Sequence, residues 1–212
     1  MKKPTEKRFE DQIEVSLVDG GYIKDVTKNF DTKYCLLPNK LIEFIQSTQP
    51  NEYEKLKDHF FEERDTKIFE RIDSQISEFG VVHVLKNGIN LRDVKLDLYI
   101  RTPKSLNNPD HISDYKKNKF ILVRQLEYKE GSKLSIDTVL FINGIPIITI
   151  ELKNQLTGQD IDDSINQYKK DRDPKDKLLS FKRCFVHFGV DNDEVAMTTE
   201  LKLGKTRFLP FN

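Results

Sequence analysis

The sequence predicts an α/β domain with a mixed central sheet flanked by helices and a helical insertion before most of the strands. Three observations support this prediction. Apolar residues recur at helical spacing through the first 80 residues, and after them short apolar runs alternate with turn residues. A further stretch at helical spacing, about 160–171, follows the longest apolar run and precedes the last predicted strands.

The amino-terminal part is predicted to be helical. A first helix is expected over 5–19, where apolar residues recur every four positions before a Gly-Gly pair. A second helix begins at Pro38, and charged and apolar residues keep helical spacing over 51–79. The block of about 38–80 is the predicted helical insertion, and it contains no candidate chemistry.

The remainder is predicted to be mostly extended. A polar, proline-containing loop is expected over 102–119, and the end of the chain, 201–212, is expected to be irregular. The predicted strands are, in chain order, 81–86, 94–100, 120–128, 136–142, 145–153, 183–190 and 194–199.

The composition restricts the class of protein. At 212 residues the chain is within the size range of a single domain. Its apolar content of 37% is low and its charged content of 33% is high for a globular protein, which predicts solvated helices around a modest core. The net charge is +0, although a stand-alone nucleic-acid binder is usually basic. Any DNA binding is therefore expected to be local and weak, or something else delivers the DNA.

Several features predict a cytoplasmic protein without a membrane partner. The amino terminus carries lysines but no apolar segment behind them, so no signal peptide is expected. No apolar run approaches the roughly 20 residues that a membrane span needs. Cys35 and Cys184 form no C-x-x-C pattern and are predicted to be reduced, buried thiols.

The candidate chemistry lies in the hairpin IDTVLFINGIPIITIELK. Asp137 begins its first strand, and Glu151 and Lys153 end its second. Residues two apart on a strand point to the same face, so Glu151 and Lys153 project together. Opposed side chains of an antiparallel pair lie about 5 Å apart, which would allow Asp137 and Glu151 to hold one divalent cation. Charged groups at the end of a buried strand are costly unless they are solvated or bound to a ligand.

Residue parity tests this arrangement. In an antiparallel pair the numbers of opposed residues have a constant sum, and Asp137 opposite Glu151 requires an even sum. A two-residue turn at Asn143-Gly144 gives an odd sum and would put the two carboxylates on opposite faces. We therefore predict either a three-residue loop, 143–145, or a compensating β-bulge.

The residue types suit phosphodiester hydrolysis. Mg²⁺ prefers oxygen ligands and keeps several waters, so two carboxylates are sufficient to bind it. The metal would neutralise developing charge and lower the pKa of the attacking water, while Lys153 could orient or activate that water. The spacing alone is short and common, and the alternative is an exposed strand end with ordinary charged residues.

The wider string IDTVLFINGIPIITIELKN resembles the amino-terminal PD-(D/E)xK nuclease domain of type I restriction enzyme R subunits. The strings FEDQIEVSLVDGGY, LTGQDIDDSINQYKKDRDP and RCFVHFGVDNDEVAMTTEL resemble the same family. The resemblance covers nearly the whole chain and implies a restriction-endonuclease-like fold. It implies a nuclease domain over 1–200 and a tail, 201–212, that leads to an ATPase motor domain outside this chain.

The resemblance also implies roles for matching positions. Asp137 and Glu151 would be metal ligands, with the carbonyl of Leu152 as a third, and Lys153 would be the catalytic lysine. Glu10 falls where these nucleases often place an auxiliary acid near the metal, and Glu14 competes for that role.

The chain departs from the superfamily pattern in two places. Ile136 stands where many members have proline before the aspartate. Related nucleases carry a glutamine four residues before a tyrosine, whereas here Gln167 directly precedes Tyr168. Gln167 is kept as a candidate DNA-side or site-lining residue, and Tyr168 is predicted to belong to the core.

A basic stretch begins on the last predicted helix and could follow DNA phosphates. The alternative is a solvated helix end without function. The candidate DNA-side residues are Gln167, Lys169, Lys170 and Arg172. The sequence Gly204-Lys205-Thr206 lacks the earlier glycine of a phosphate-binding loop, so no nucleotide site is expected there. The resemblance implies that ATP binds only in the full-length subunit, in the translocase outside this chain.

The activity implied by the resemblance is Mg²⁺-dependent cleavage of double-stranded DNA without sequence specificity of its own. Cleavage would act in concert with the subunit's own ATP-dependent translocase, and the specificity and methylation subunits would choose the DNA. Two alternatives stay open at this point. One is a catalytically silent, nuclease-like docking domain, and the other is the nuclease of a different helicase-linked DNA-processing enzyme.

Overall fold

The computed structural model describes residues 6–103, 109–155 and 158–211, with all their side chains except that of Glu6. The helices are α1 Glu6–Asp19, α2 Pro38–Thr48, α3 Pro50–Phe60, α4 Arg64–Phe79, α5 Val81–Asn87, α6 Pro109–Tyr115 and α7 Ile161–Lys170. The strands are β1 Ile23–Asp25, β2 Ile89–Leu91, β3 Val94–Leu96, β4 Phe120–Glu127, β5 Ser135–Ile142, β6 Ile145–Leu152, β7 Val186–Val190, β8 Val195–Thr198 and β9 Leu209–Pro210.

The main sheet of the described chain has seven strands in the order β1-β4-β5-β6-β7-β8-β9. The pairs β1–β4 and β6–β7 are parallel, and the other neighbours are antiparallel. Helix α7 lies in the crossover between the parallel strands β6 and β7, as such a connection requires. Strands β2 and β3 form a separate antiparallel pair. The predicted mixed α/β sheet with flanking helices is confirmed.

The central strands are buried on both faces. Leu140 and Ile142 of β5 belong to one apolar cluster, with the buried faces of α2 to α5. Val139 and Phe141 belong to a second cluster, which includes Tyr168 of α7. The helices of the predicted insertion therefore cover one face of the sheet, and α7 packs on the other.

Three local predictions are wrong in the structure. Residues 81–86 form helix α5 and not a strand, because the buried residues Val81, Val84 and Leu85 have helical spacing after Gly80. The predicted loop over 102–119 contains α6, and its residues 104–108 lie outside the described residues. The predicted irregular end contributes β9, which pairs with β8.

Both cysteines are buried free thiols, as predicted. Burial raises the pKa of the Cys184 thiol, and burial likewise raises the pKa of Cys35. Across the described ranges, every helix is too short or too polar to cross a lipid bilayer.

Candidate active site

A two-residue turn and a β-bulge set the register of the β5–β6 hairpin. Asn143 and Gly144 both have positive φ, +51° and +86°, as expected for the turn that suits the twist of a hairpin. Next to the turn Phe141 pairs with Pro146, but one residue further Leu140 pairs with Ile148. The extra residue on β6 is therefore Ile147, and the predicted compensating bulge is confirmed.

The bulge brings the two acidic residues to the same place. Beyond it Thr138 pairs with Ile150, so the next position in register puts Asp137 opposite Glu151. Oδ2 of Asp137 accepts a hydrogen bond from the backbone N–H of Leu152 at 2.8 Å. Asp137 therefore faces the end of β6, where Glu151 and Lys153 are separated by one residue.

Glu151 is a fully buried acid with one oxygen left unsatisfied. Its side chain is 0% exposed, and its Oε1 accepts a hydrogen bond from Arg172 Nε at 2.6 Å. Its Oε2 has no hydrogen-bond partner among the described residues. Burial, and then the negative charge of Asp137, raise the pKa of Glu151 to about 8, although Arg172 acts in the opposite direction. An unsatisfied buried oxygen beside a second carboxylate is a position that favours a bound cation.

Asp137 and Glu151 supply two carboxylates that could bind such a cation. No group of three or more His, Cys, Asp or Glu side chains in the described residues is arranged as a metal site. Magnesium ions are commonly bound through one or two carboxylates with several retained waters, so the donor set of Asp137 and Glu151 fits this ion. The Leu152 carbonyl stays a prediction as a third ligand.

Lys153 is largely buried beside a polar cavity. Its backbone N–H donates to the carbonyl of Val190, at the end of β7, at 2.8 Å. Its side chain lines a cavity of about 230 Å³, where it meets residues of α7 and of the segment before it. The other residues lining this cavity are Gln159, Asp163, Asn166, Gln167, Lys170 and Asp171. Two of the candidate DNA-side residues, Gln167 and Lys170, thus share a cavity with Lys153.

Helix α1 brings Glu10 to the Asp137 side of the site. Nε2 of Gln125 donates to Oε1 of Glu10 and to Oδ1 of Asp137, at 3.0 Å in both cases. Burial raises the pKa of Glu10, Arg124 opposes this shift, and the charge of Asp137 adds to it. Glu14 instead contacts Lys24 and Arg124, and it has no hydrogen bond to Gln125 or Asp137 among the described residues. Of the two competing acids, Glu10 is the one joined to the site.

The prediction that Arg172 faces DNA is wrong. Its side chain is buried, with Nε on Glu151 and Nη2 donating to the carbonyl of Ser135 at 2.7 Å. A buried guanidinium cannot follow a phosphate backbone. The sequence contained a signal for this position, because Arg172 stands four residues after Tyr168, which was correctly predicted to be core and is 0% exposed. Lys169 is half-buried and Lys170 is exposed.

Sequence reasoning overlooked Gln125. The structure aligns it with Asp137, since Arg124 pairs with Thr138 and Leu126 pairs with Ile136 on either side. A pattern of alternating residues predicts strand β4 but not its register against β5, so the sequence alone gave no sign of this contact.

Comparison with known proteins is consistent with these features. A protein from Methanocaldococcus jannaschii, named "Putative type I restriction enzyme MjaVIIIP endonuclease subunit", is 29% identical over 141 residues, which are 63% of this chain and 13% of that protein. The HindI endonuclease subunit from Haemophilus influenzae is 30% identical over 97 residues, or 44% of this chain and 9% of that protein. A Staphylococcus aureus endonuclease subunit, SauCOLORF180P, is 29% identical over 110 residues, 50% of this chain and 11% of that protein.

The matched part is thus about a tenth of the length of these relatives. The family model described as the amino terminus of the type I restriction enzyme R protein matches residues 18–205. Because this match covers most of the 212 residues, the chain belongs to the family of type I restriction enzyme R protein amino-terminal domains.

Proposed function

We propose that the chain is the DNA-cutting domain of a type I restriction enzyme R subunit. It hydrolyses phosphodiester bonds of double-stranded DNA in a Mg²⁺-dependent reaction, in the cytoplasm and without sequence specificity of its own. The observation that carries this proposal is the bulged hairpin, which brings Asp137 opposite Glu151 with Lys153 two residues further along the strand. The names of the related endonuclease subunits support it.

Asp137 and Glu151 are the residues that would hold the metal ion, with the Leu152 carbonyl and Glu10 as further candidates. When bound, Mg²⁺ neutralises charge that develops on the phosphate and lowers the pKa of a bound water. The Oε2 of Glu151 supports this assignment, because a buried carboxylate oxygen without a hydrogen-bond donor carries a cost that a proton offsets in the metal-free chain and that a bound cation would offset in its place.

The other residues act around this pair. Arg172 holds Oε1 of Glu151 and so fixes the side chain, leaving Oε2 available. Lys153 lines the adjacent cavity and would orient the attacking water or stabilise phosphate charge. Gln167, Lys169 and Lys170 lie on α7 and would contact the DNA strand that enters this cavity.

The whole enzyme would divide the remaining work among other parts. Family membership supports a role beside an ATP-dependent translocase of the same subunit, with specificity and methylation subunits selecting the DNA. ATP would bind to the translocase, and Mg²⁺ would be the cofactor of this domain.

The test uses the full-length subunit with its partner subunits, ATP, Mg²⁺ and circular DNA. We expect Lys153→Ala to abolish cleavage while ATP hydrolysis continues at the wild-type rate. Lys116→Ala is the matched control, because Lys116 is exposed at the end of α6, outside the site, and this variant should cleave normally. Equal cleavage by wild type and Lys153→Ala would refute the nuclease proposal and favour a silent docking domain.

A further inference from the structure

The side-chain amide of Gln125 contacts two acids of the candidate site, Glu10 and Asp137. Its Nε2 donates to both Glu10 and Asp137, and its Oε1 accepts a hydrogen bond from the Ser135 hydroxyl at 2.9 Å. Carboxylates accept hydrogen bonds and the NH₂ group donates two, so these contacts define which end of the amide faces the acids. One neutral group therefore satisfies two neighbouring carboxylates at once.

Gln125 also has an unusual backbone for a strand residue. Its φ of +46° lies in the left-handed region, which costs a residue other than glycine roughly 1 kcal/mol. The β4–β5 pairing omits this position, although Arg124 and Leu126 on either side are both paired. The strand is thus distorted directly opposite Asp137. Strained residues of this kind concentrate at functional sites, where the surrounding structure maintains them.

Attachment of α1 to the sheet does not explain this conformation. Arg124 already makes that attachment, since its guanidinium contacts Glu10 and Asp11 at 2.6 Å and Glu14 at 3.2 Å. Gln125 is exposed, so its side chain adds little buried area to the fold. The distinctive contact of Gln125 is the one with Asp137.

A continuous set of hydrogen bonds extends from Gln125 to the second carboxylate. Ser135 donates its hydroxyl to Gln125 and accepts a hydrogen bond from Arg172 at its backbone carbonyl. Arg172 in turn donates to Glu151. Gln125 thus contacts Asp137 directly and is linked to Glu151 through Ser135 and Arg172.

We propose that Gln125 is a positioning residue of the metal site. Its amide holds the Asp137 carboxylate toward Glu151 and binds the Glu10 carboxylate beside it, so that the acids of the site are preorganised. The distorted backbone of β4 is what brings the amide to this position. The inference rests on the proposed function, because it requires Asp137 and Glu151 to bind a divalent cation.

The test is calorimetric titration of this chain with Mn²⁺, which replaces Mg²⁺ and gives a larger signal. Loss of a residue that orients metal ligands typically lowers metal affinity about 10–100-fold. We expect that loss in Gln125→Met, which keeps the side-chain length but removes the amide. We expect it equally in Gln125→Gly, which accepts a positive φ without strain and also lacks the amide. Gln12→Met, at an exposed position on α1, is the matched control and should bind Mn²⁺ as wild type does.

A second measurement separates positioning from folding. Because Gln125 is exposed, urea unfolding of the metal-free Gln125→Met variant should give a midpoint close to that of wild type. Wild-type Mn²⁺ affinity in Gln125→Met would overturn the inference and leave the proposed function intact. Wild-type affinity in Gln125→Gly alone would also overturn it, because the backbone and not the amide would then be responsible. A wild-type chain that binds no Mn²⁺ would overturn the proposed function and the inference together.

Discussion

Replacement of Arg172 tests how the buried carboxylate is held. In Arg172→Met the contacts to Glu151 Oε1 and to the Ser135 carbonyl are both lost. Buried groups left without a hydrogen-bond partner cost about 1–3 kcal/mol, and this is the destabilisation we expect near pH 7. The charged form of Glu151 adds little to this cost near pH 7, because burial and the charge of Asp137 raise the pKa of Glu151 to about 8.

The destabilisation should grow at higher pH. Between pH 4.5 and about 8, the folded wild-type protein binds more protons at Glu151 than the unfolded chain does. The free energy of unfolding therefore falls as pH rises through this window, and Glu151 causes no further loss above pH 8. Without Arg172 the pKa of Glu151 rises further, so the variant continues to lose about 1.4 kcal/mol per pH unit above 8. By pH 9 the total cost should approach the roughly 3–5 kcal/mol typical of a broken buried ion pair.

Urea unfolding followed by circular dichroism measures this difference, since the chain contains no tryptophan. The same substitution in a Glu151→Gln background provides the control, because an amide cannot titrate. There the cost of Arg172→Met should not depend on pH. A cost that is the same at pH 7 and pH 9 in the wild-type background would refute the reasoning.

Two further predictions concern the fold around the site. Burial lowers the pKa of His187 to about 4 from 6.5, so the folded protein binds fewer protons than the unfolded chain in this window, and stability should fall as pH falls. Relative to His187→Asn, the free energy of unfolding of wild type should fall by about 2 kcal/mol between pH 6.5 and 5. The exposed His111→Asn variant is the control and should follow wild type. Parallel pH profiles of wild type and His187→Asn would contradict this prediction. Gly144→Ala should cost about 2–4 kcal/mol in urea unfolding, since φ is +86° and the new Cβ would lie 2.6 Å from the carbonyl oxygen of Leu37. Gly131→Ala is its control, with φ of +70° but no described atom within 4 Å of the Cβ, and equal losses in the two variants would show that the contact is unimportant.

Much of the site geometry followed from strict local rules. Side chains on a strand alternate, so the requirement that Asp137 face Glu151 is enough to predict either an odd loop or a bulge. The Asn143-Gly144 pair then favoured the two-residue turn that is observed. The location of the bulge at Ile147 could not be predicted, because each residue of the apolar run around it fits a buried strand equally well.

Features that depend on tertiary contacts were less accessible. The apolar run at 81–86 is compatible with a buried helix as well as with a strand. In the structure it forms helix α5, which buries Val81, Val84 and Leu85. Arg172 stands four residues after the core residue Tyr168, and this spacing indicates an inward orientation, but the basic residues around it favoured the interpretation that it faces phosphate. Residues in strands ordinarily have negative φ, so the positive φ of Gln125 could not be predicted from the sequence pattern of β4.

The central claim is that the bulged hairpin makes Asp137 and Glu151 a single cation site. Calorimetric titration of Mn²⁺ into wild type and Asp137→Asn tests this claim most directly, with Asp114→Asn as a control at an exposed surface ion pair. We predict that wild type and the control each bind one Mn²⁺ and that Asp137→Asn binds it at least about 100-fold more weakly. Loss of a residue that only supports the ligands weakens metal binding about 10–100-fold, so loss of a ligand should reach at least the upper end of that range. Equal Mn²⁺ binding by wild type and Asp137→Asn, or no binding by wild type, would contradict the account.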